Sequence, residues 1–131
     1  MKSRSISILV LVIITIIGIV FPSIAKEPIK KITGVYTNMW QDKETYDIVG
    51  MELFIVKGAN GYFALFQIAE GGPGKPILVQ PKIDGNHIEF TVPGDSNEAA
   101  WKFKGVFMKD GIEVKSGNLR CFLKRKKSFW Q

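Results

Sequence analysis

The side chains that could support catalysis are few in this sequence. A serine or cysteine nucleophile needs a base within hydrogen-bond reach, and His87 is the only histidine available for that role. His87 stands beside Glu89 on the polar side of an alternating segment, which is typical of an exposed structural histidine. Cys121, the only cysteine, alternates with two leucines, which indicates a buried and unreactive thiol. We therefore predict no catalytic residues and a protein that is not an enzyme; a cryptic enzyme that uses Glu52 or His87 is the alternative.

Ligands for a metal or cofactor are equally scarce. A zinc site needs three or four histidine, cysteine or carboxylate ligands, and the sequence contains no such cluster. Asp42, Glu44 and Asp47 fall within one segment, residues 39–47, and calcium prefers clustered oxygen ligands. Their spacing lacks the tight glycine turn and the full ligand set of a calcium loop, which favours a solvated acidic loop. We predict no metal site and no cofactor.

Large aromatic side chains give the best indication of a binding site. Trp40 and Tyr46 lie in the same segment 39–47, with no clear strand to bury them. Such rings supply contact area at a low cost in conformational entropy. Trp101 and Phe103 alternate along a later strand and are expected to line the interior below this segment. These four residues are the candidate ligand contacts.

Glu52 is a carboxylate within a strongly apolar strand and is the fifth candidate ligand contact. If its side chain faced inward, desolvation would raise its pKa unless a base paired with it. Arg120, in the last strand, is a candidate for that base, and the pair would fix the register of the strands. The alternative is an outward Glu52 in water.

The elements that must position these residues are strands. Short apolar or alternating segments are joined by Gly, Asn and Asp turns, and no segment shows a convincing helical period. Short connections make consecutive strands antiparallel neighbours. The sequence predicts an all-β fold with about eight antiparallel strands, over residues 32–38, 50–57, 62–69, 75–83, 87–92, 98–109, 112–115 and 119–126.

The predicted architecture is an up-and-down meander that closes into a small barrel. Closure pairs the first strand with the last and removes unpaired strand edges. A two-sheet β-sandwich is the alternative. An eight-stranded barrel is just wide enough for its own side chains, so a filled core is as consistent with the sequence as a pocket.

Two predicted strands, 51–56 and 62–68, are apolar on both faces. A barrel strand normally has one face in water, so these strands predict an apolar patch on the outside of the barrel. A homodimer contact would cover it. A docked N-terminal segment or loop is the alternative cover.

The N-terminus has the three-part pattern of a secretory signal peptide. Lys2 and Arg4 precede an apolar run, Pro22 ends it, and Ser23-Ile24-Ala25 offers small residues for cleavage. We predict a signal peptide at residues 1–25 and a single β-barrel domain at residues 26–131. The protein is then periplasmic or extracellular, with membrane contact only transiently through the signal peptide. A membrane anchor with an uncleaved N-terminus is the alternative.

Charge is distributed unevenly along the chain. Without Lys2 and Arg4 the formal net charge falls from +6 to +4, and every charged residue after Glu113 is basic. A basic terminus attracts anionic surfaces. Export makes nucleic acid a poor partner, and a solvated strand end is the simpler interpretation.

The sequence resembles lipocalins and their calycin relatives at both ends of the predicted barrel. Gly34-Val35-Tyr36 stands where those proteins have Gly-x-Trp, and Arg120, Lys124 and Arg125 stand where they place a base across the first-strand aromatic. The resemblance implies a small exported barrel closed by Gly34, Tyr36 and a base, for which we name Arg120. The chain is also similar to exported bacterial proteins without an assigned activity that begin with Gly-x-Tyr-x-Asn-Met and end near Lys-Ser-Tyr/Phe-Trp.

These observations favour an exported, non-enzymatic binding protein. It would accept a small apolar ligand or a protein partner at the barrel mouth, beside Trp40 and Tyr46. The alternative is a structural or interaction module with a filled core. Such a module would act through the outer apolar patch and the basic C-terminus.

Overall fold

The computed structural model describes residues 31–131. The predicted signal peptide and its cleavage position therefore lie outside the described residues. Within residues 31–131, no helix is long and apolar enough to cross a membrane.

The described region is all-β, as predicted. Its strands are β1 (Gly34–Thr37), β2 (Trp40–Gln41), β3 (Ile48–Gly58), β4 (Gly61–Gly71), β5 (Ile77–Val79), β6 (Lys82–Asp84), β7 (His87–Val92), β8 (Trp101–Met108), β9 (Gly111–Ser116) and β10 (Leu119–Arg125). The predicted segment 75–83 is divided into β5 and β6 by Gln80 and Pro81.

All ten strands belong to one antiparallel sheet that curls on itself. The order of the strands is β5-β4-β3-β1-β10-β9-β8-β7-β6, and the short β2 pairs with β3. The predicted pairing of the first strand with the last is confirmed, because Tyr36 lies opposite Arg125. The sheet ends at β5 and β6, which flank Pro81. Proline has no N–H for a ladder, which explains why the edges fall here.

The β3–β4 hairpin forms the longest wall of the sheet. Its pairing runs without a break from Ile48 opposite Gly71 to Gly58 opposite Gly61. The turn is Ala59-Asn60, and Gly61 has a φ of 130°, which favours glycine. Both strands extend beyond their predicted limits because the ladder continues past the apolar residues.

The middle of the curled sheet is filled with side chains. The rings of Phe90 and Phe103 stack with centroids 5.0 Å apart, and Phe66 lies 5.2 Å from Phe103. Aliphatic side chains of β3, β7, β9 and β10 surround them, namely Leu53, Ile55, Ile88, Ile112, Val114 and Leu123. The alternation predicted for β7 is confirmed, since Ile88, Phe90 and Val92 are all buried.

One end of the sheet is closed by Tyr36 and Arg125. The Arg125 guanidinium lies 5.5 Å from the centroid of the Tyr36 ring and donates hydrogen bonds to the backbone oxygens of Thr33, at 2.6 Å, and Lys31. The Tyr36 hydroxyl donates to the Ile32 carbonyl oxygen at 2.7 Å. We call this the closed end.

Gly34 is required for that packing. Its φ is 141°, and a Cβ at this position would lie 3.1 Å from Nη2 of Arg125. The closing base is therefore Arg125 rather than Arg120. Arg120 points to the outer face of β10 and donates to Oε2 of Glu113 at 2.8 Å. Side chains alternate along a strand, so Arg125 shares the inner face with Leu123 and Arg120 does not.

The C-terminal residues fold back over the outer face of β3 and β4. Oγ of Ser128 and N of Phe129 donate to the two carboxylate oxygens of Glu52, at 2.6 and 2.9 Å. Nε1 of Trp130 donates to Oε1 of Gln67 at 2.8 Å. We call residues 128–131 the C-terminal strap. Glu52 thus faces outward, yet it is buried and bonded to the strap instead of to Arg120.

Candidate functional site

The end of the sheet opposite Tyr36 is open because β1 is short. At Thr37, β1 still separates Glu52 of β3 from Lys124 of β10. Beyond Thr37, β3 continues back to Ile48 and β10 back to Leu119, and the only strand between them is the two-residue β2, which pairs with β3 and not with β10. This interruption leaves a cleft in the wall of the curled sheet.

Asn38 turns the chain out of the sheet at this point. Its backbone N–H donates to the Met51 carbonyl oxygen at 3.1 Å, and its side-chain Oδ1 accepts from the backbone N–H of Met51 at 2.7 Å. Gly50 allows the close approach, since a Cβ there would lie 2.8 Å from the Asn38 carbonyl oxygen. The two hydrogen bonds occupy the Met51 backbone that β1 would otherwise have paired.

The cleft has a volume of about 910 Å³. Ligand pockets usually enclose roughly 300–1,000 Å³. Its walls are mostly apolar and come from β3, β4, β8 and β10, with Val49, Met51, Ile68, Trp101, Leu119 and Cys121 as the larger side chains. An apolar lining of this kind suits an apolar ligand, whose transfer from water is driven by the hydrophobic effect.

Two sulfur atoms meet across the cleft. Sγ of Cys121 and Sδ of Met51 are 3.6 Å apart, so β10 and β3 contact each other directly just beyond the end of β1. Burial raises the pKa of the Cys121 thiol. The thiol therefore stays neutral and adds a polarizable, apolar surface to the wall.

Polar groups stand at the rim of the cleft. Glu70 lies opposite Val49 in the β3–β4 ladder, so its side chain is on the cleft side of the sheet. Asn38, Lys102 and Ser116 complete the polar part of the lining. A ligand with a polar group at one end could orient that group here.

The predicted ligand contacts are not brought together in one site. Trp101 lines the cleft, and Phe103 lies beneath it in the filled core, with ring centroids 6.3 Å apart. Trp40 is on β2, opposite Val49, and Tyr46 is 73% exposed at the tip of the same segment. Neither ring is part of the cleft lining, although Trp40 shares the face of Val49. Glu52 is on the opposite face of the sheet, under the C-terminal strap.

In the acidic segment between β1 and β3, the Asp42 carboxylate stabilises a turn of the segment itself. Oδ1 of Asp42 accepts from the amides of Glu44 and Thr45 at 2.8 and 2.9 Å. These bonds, above all the one from Thr45, hold the pKa of Asp42 below its usual value. Residues 31–131 contain no group of three or more histidine, cysteine or carboxylate side chains that could hold a metal ion.

Four residues that line the cleft were not among the predicted contacts, namely Val49, Met51, Leu119 and Cys121. Alternation assigns each of them to the inner face of its strand. Whether that inner face belongs to the core or to the cleft depends on where β1 ends. Asn38 follows the end of β1, but an asparagine by itself does not identify a strand end in the sequence.

The comparisons with known proteins assign no family to the chain. No protein-family model matches the sequence. Searches of curated proteins and of solved structures find no significant match either.

Proposed function

We propose that this protein is a non-enzymatic binding protein that holds a small apolar molecule in the cleft at the open end. The observation that carries the proposal is the cleft itself, about 910 Å³ with a mostly apolar lining, above a filled core. The filled middle gives the cleft a floor. A ligand would therefore enter from the open end and leave the same way.

The closed end supports a likeness to lipocalins as part of this proposal. Arg125 packs over Tyr36, the contact that the resemblance implies between a terminal base and the first-strand aromatic. In such an arrangement one end is fixed by the base and the other receives the ligand. The exported location of the protein belongs to the same proposal and rests on the signal-peptide pattern of residues 1–25.

Titration with the neutral apolar dye N-phenyl-1-naphthylamine tests the proposal. The protein is purified as its cells process it, and its N-terminus is identified by mass spectrometry. Dye fluorescence should rise and saturate with one dye per chain. Trp101 lines the cleft, so quenching of tryptophan emission should follow the same titration curve.

A matched pair of leucine variants locates the bound dye. Leu119 lines the cleft and is 40% exposed, whereas Leu65 is 44% exposed on the outer face of β4. Leu119→Ser should weaken binding about tenfold, the effect of losing roughly 1.4 kcal/mol of contact. Leu65→Ser should leave the affinity unchanged. Equal losses in both variants, or no saturable binding at all, would contradict the proposal.

The second candidate is an interaction module that binds no small ligand. The packed rings of Phe66, Phe90 and Phe103, which fill the middle of the sheet, favour this alternative. It would act through the exposed side chains of β3, β4 and β5, through a homodimer contact or another partner. The absence of saturable dye binding, together with a dimer in analytical ultracentrifugation, would favour this second candidate.

A further inference from the structure

Apolar side chains form a continuous band on the outer face of the sheet, and all of them except the partly buried Val35 are exposed. Val35, Phe54, Leu65 and Leu78 are direct neighbours across β1, β3, β4 and β5. Val56 extends the band by one row toward the closed end. We call these five residues the outer apolar band. Phe54 and Leu65 are each 44% exposed and Leu78 is 69% exposed.

The C-terminal strap borders the band and adds to it. Trp130 is held on Gln67 by its indole N–H, and Gln67 is two residues along β4 from Leu65. The Trp130 ring remains 46% exposed beside the band. Tryptophan rings that combine an apolar body with a polar edge are enriched where protein meets the membrane interface.

The charged side chains that border the band are basic. The Lys126 amide bonds to the Val35 carbonyl oxygen at 3.2 Å, which places Lys126 beside the first residue of the band. Lys124 and Lys127 are exposed on either side of Lys126 along the chain. Glu52, the carboxylate on the outer face of these strands, is bonded to the strap, and Glu70 faces the cleft. No free carboxylate of β1, β3, β4 or β5 offsets the lysines.

We propose that the outer apolar band and its lysine border (Lys124, Lys126 and Lys127) dock on the surface of an anionic lipid bilayer. The apolar residues would enter the interface between headgroups and acyl chains, while the lysines would approach the lipid phosphates. This inference is independent of the ligand cleft. The sequence pattern predicts membrane contact only through the N-terminal segment. The outer apolar band would be a second membrane contact, in the folded domain.

The shape and charge of the band favour a bilayer over a second copy of the chain. The band lies on the outside of a curled sheet, and a convex surface offers no groove for a peptide or helix. A two-fold dimer places the same patch against itself, so two convex faces and two lysine borders would meet. A fluid bilayer adapts to a convex surface, and anionic lipids attract the lysines.

Hydroxyl-radical footprinting tests this contact within the intact protein. The protein, as processed by its cells, is mixed with vesicles of phosphatidylcholine alone or with phosphatidylglycerol added. Phe54 and Phe122 provide a matched comparison, because both are 44% exposed and Phe122 lies on β10 outside the band. We expect the oxidation rates of Phe54, Leu78 and Trp130 to fall severalfold with anionic vesicles, while the rate of Phe122 stays unchanged.

Other footprints would overturn the proposal. Protection of Phe54 and Phe122 to the same degree would indicate general adsorption through the N-terminal segment. Protection that appears without vesicles and grows with protein concentration would assign the band to a second copy. Unchanged rates throughout would show that no bilayer contact forms.

Variants give a second, independent measurement by vesicle flotation. Leu78 lies on an edge strand, so Leu78→Ser should fold normally, which circular dichroism verifies. Compared with Phe122→Ser, it should reduce the fraction bound to anionic vesicles severalfold. Lys126→Gln combined with Lys127→Gln should abolish the difference between anionic and neutral vesicles, and added salt should do the same in the native chain. Equal flotation of Leu78→Ser and Phe122→Ser would overturn the proposal.

Discussion

Arg125 and Arg120 show how much depends on which face of a strand a residue occupies. Both are arginines of β10, yet one closes an end of the sheet and the other forms an exposed ion pair with Glu113. The side-chain period of two decides this outcome, because the odd-numbered positions of β10 point inward. Alternation with Leu123 therefore contained the information that would have selected Arg125.

Replacing the two arginines with alanine should have unequal effects. Arg125→Ala removes the donors to the Thr33 and Lys31 carbonyls and the packing on Tyr36, so we expect a loss of about 1–3 kcal/mol in the free energy of unfolding. Arg120→Ala removes an exposed ion pair and should cost less than about 1 kcal/mol. Urea denaturation measures both values. Similar losses would contradict the assignment of Arg125 to the closed end.

Cys121 should react slowly with thiol reagents. Burial raises its pKa, so the folded protein holds the thiol proton to a higher pH than the unfolded chain does. Stability should therefore decline as pH rises from the ordinary thiol pKa through the raised folded value. The pH profile of iodoacetamide alkylation should lie at higher pH in the folded protein than in urea. A dye bound in the cleft should slow alkylation further, and a rate unaffected by the dye would place it elsewhere.

At the scale of elements, the C-terminal strap makes it possible to bury Glu52. A carboxylate removed from water needs hydrogen-bond donors or a partner charge. Ser128 and the Phe129 amide supply the donors, one to each oxygen. Residues 128–130 are thus held in the folded structure by side-chain contacts with β3 and β4.

Serine variants test the role of the strap. Ser128→Ala leaves one oxygen of Glu52 without its protein donor, so we expect a loss of about 1–3 kcal/mol in the free energy of unfolding. Ser96→Ala, in the exposed segment between β7 and β8, should change stability by less than about 0.5 kcal/mol. Thermal unfolding followed by circular dichroism measures both. Equal stability of the two variants would show that the strap contributes nothing to Glu52.

The elements were more predictable than the site. Alternation and turn residues indicated the strands from β7 to β10 and the pairing of the first strand with the last. The cleft was not predictable, because it depends on β1 ending at Thr37 while its two neighbours continue. The strap escaped prediction for a related reason: residues 128–131 show no strand pattern, and only tertiary contact with Glu52 gives them a position.

At the scale of the whole molecule, the curled sheet has three levels with different properties. Tyr36 and Arg125 close one end, aromatic rings fill the middle, and the cleft opens at the other end. The strands that form the cleft walls continue into this packed middle, so the cleft is formed without a ligand. A preformed pocket avoids the cost of ordering loops on binding.

Ligand binding should therefore raise the stability of the whole sheet. A ligand that binds only the folded state stabilises it by about 2.7 kcal/mol at a free concentration of roughly 100 times its Kd. For a domain of this size we expect N-phenyl-1-naphthylamine at that concentration to raise Tm by at least several degrees. Leu119→Ser should abolish the increase at the same dye concentration. An unchanged Tm in the native chain would argue against binding in the cleft.

The contact between β1 and β10 also sets an order of events during biosynthesis. The Arg125 guanidinium bonds to a carbonyl oxygen 92 residues earlier in the chain, that of Thr33. The closing pair therefore cannot form until the ribosome has added Arg125, and until then the strands already synthesised lack the contact that fixes this end of the sheet.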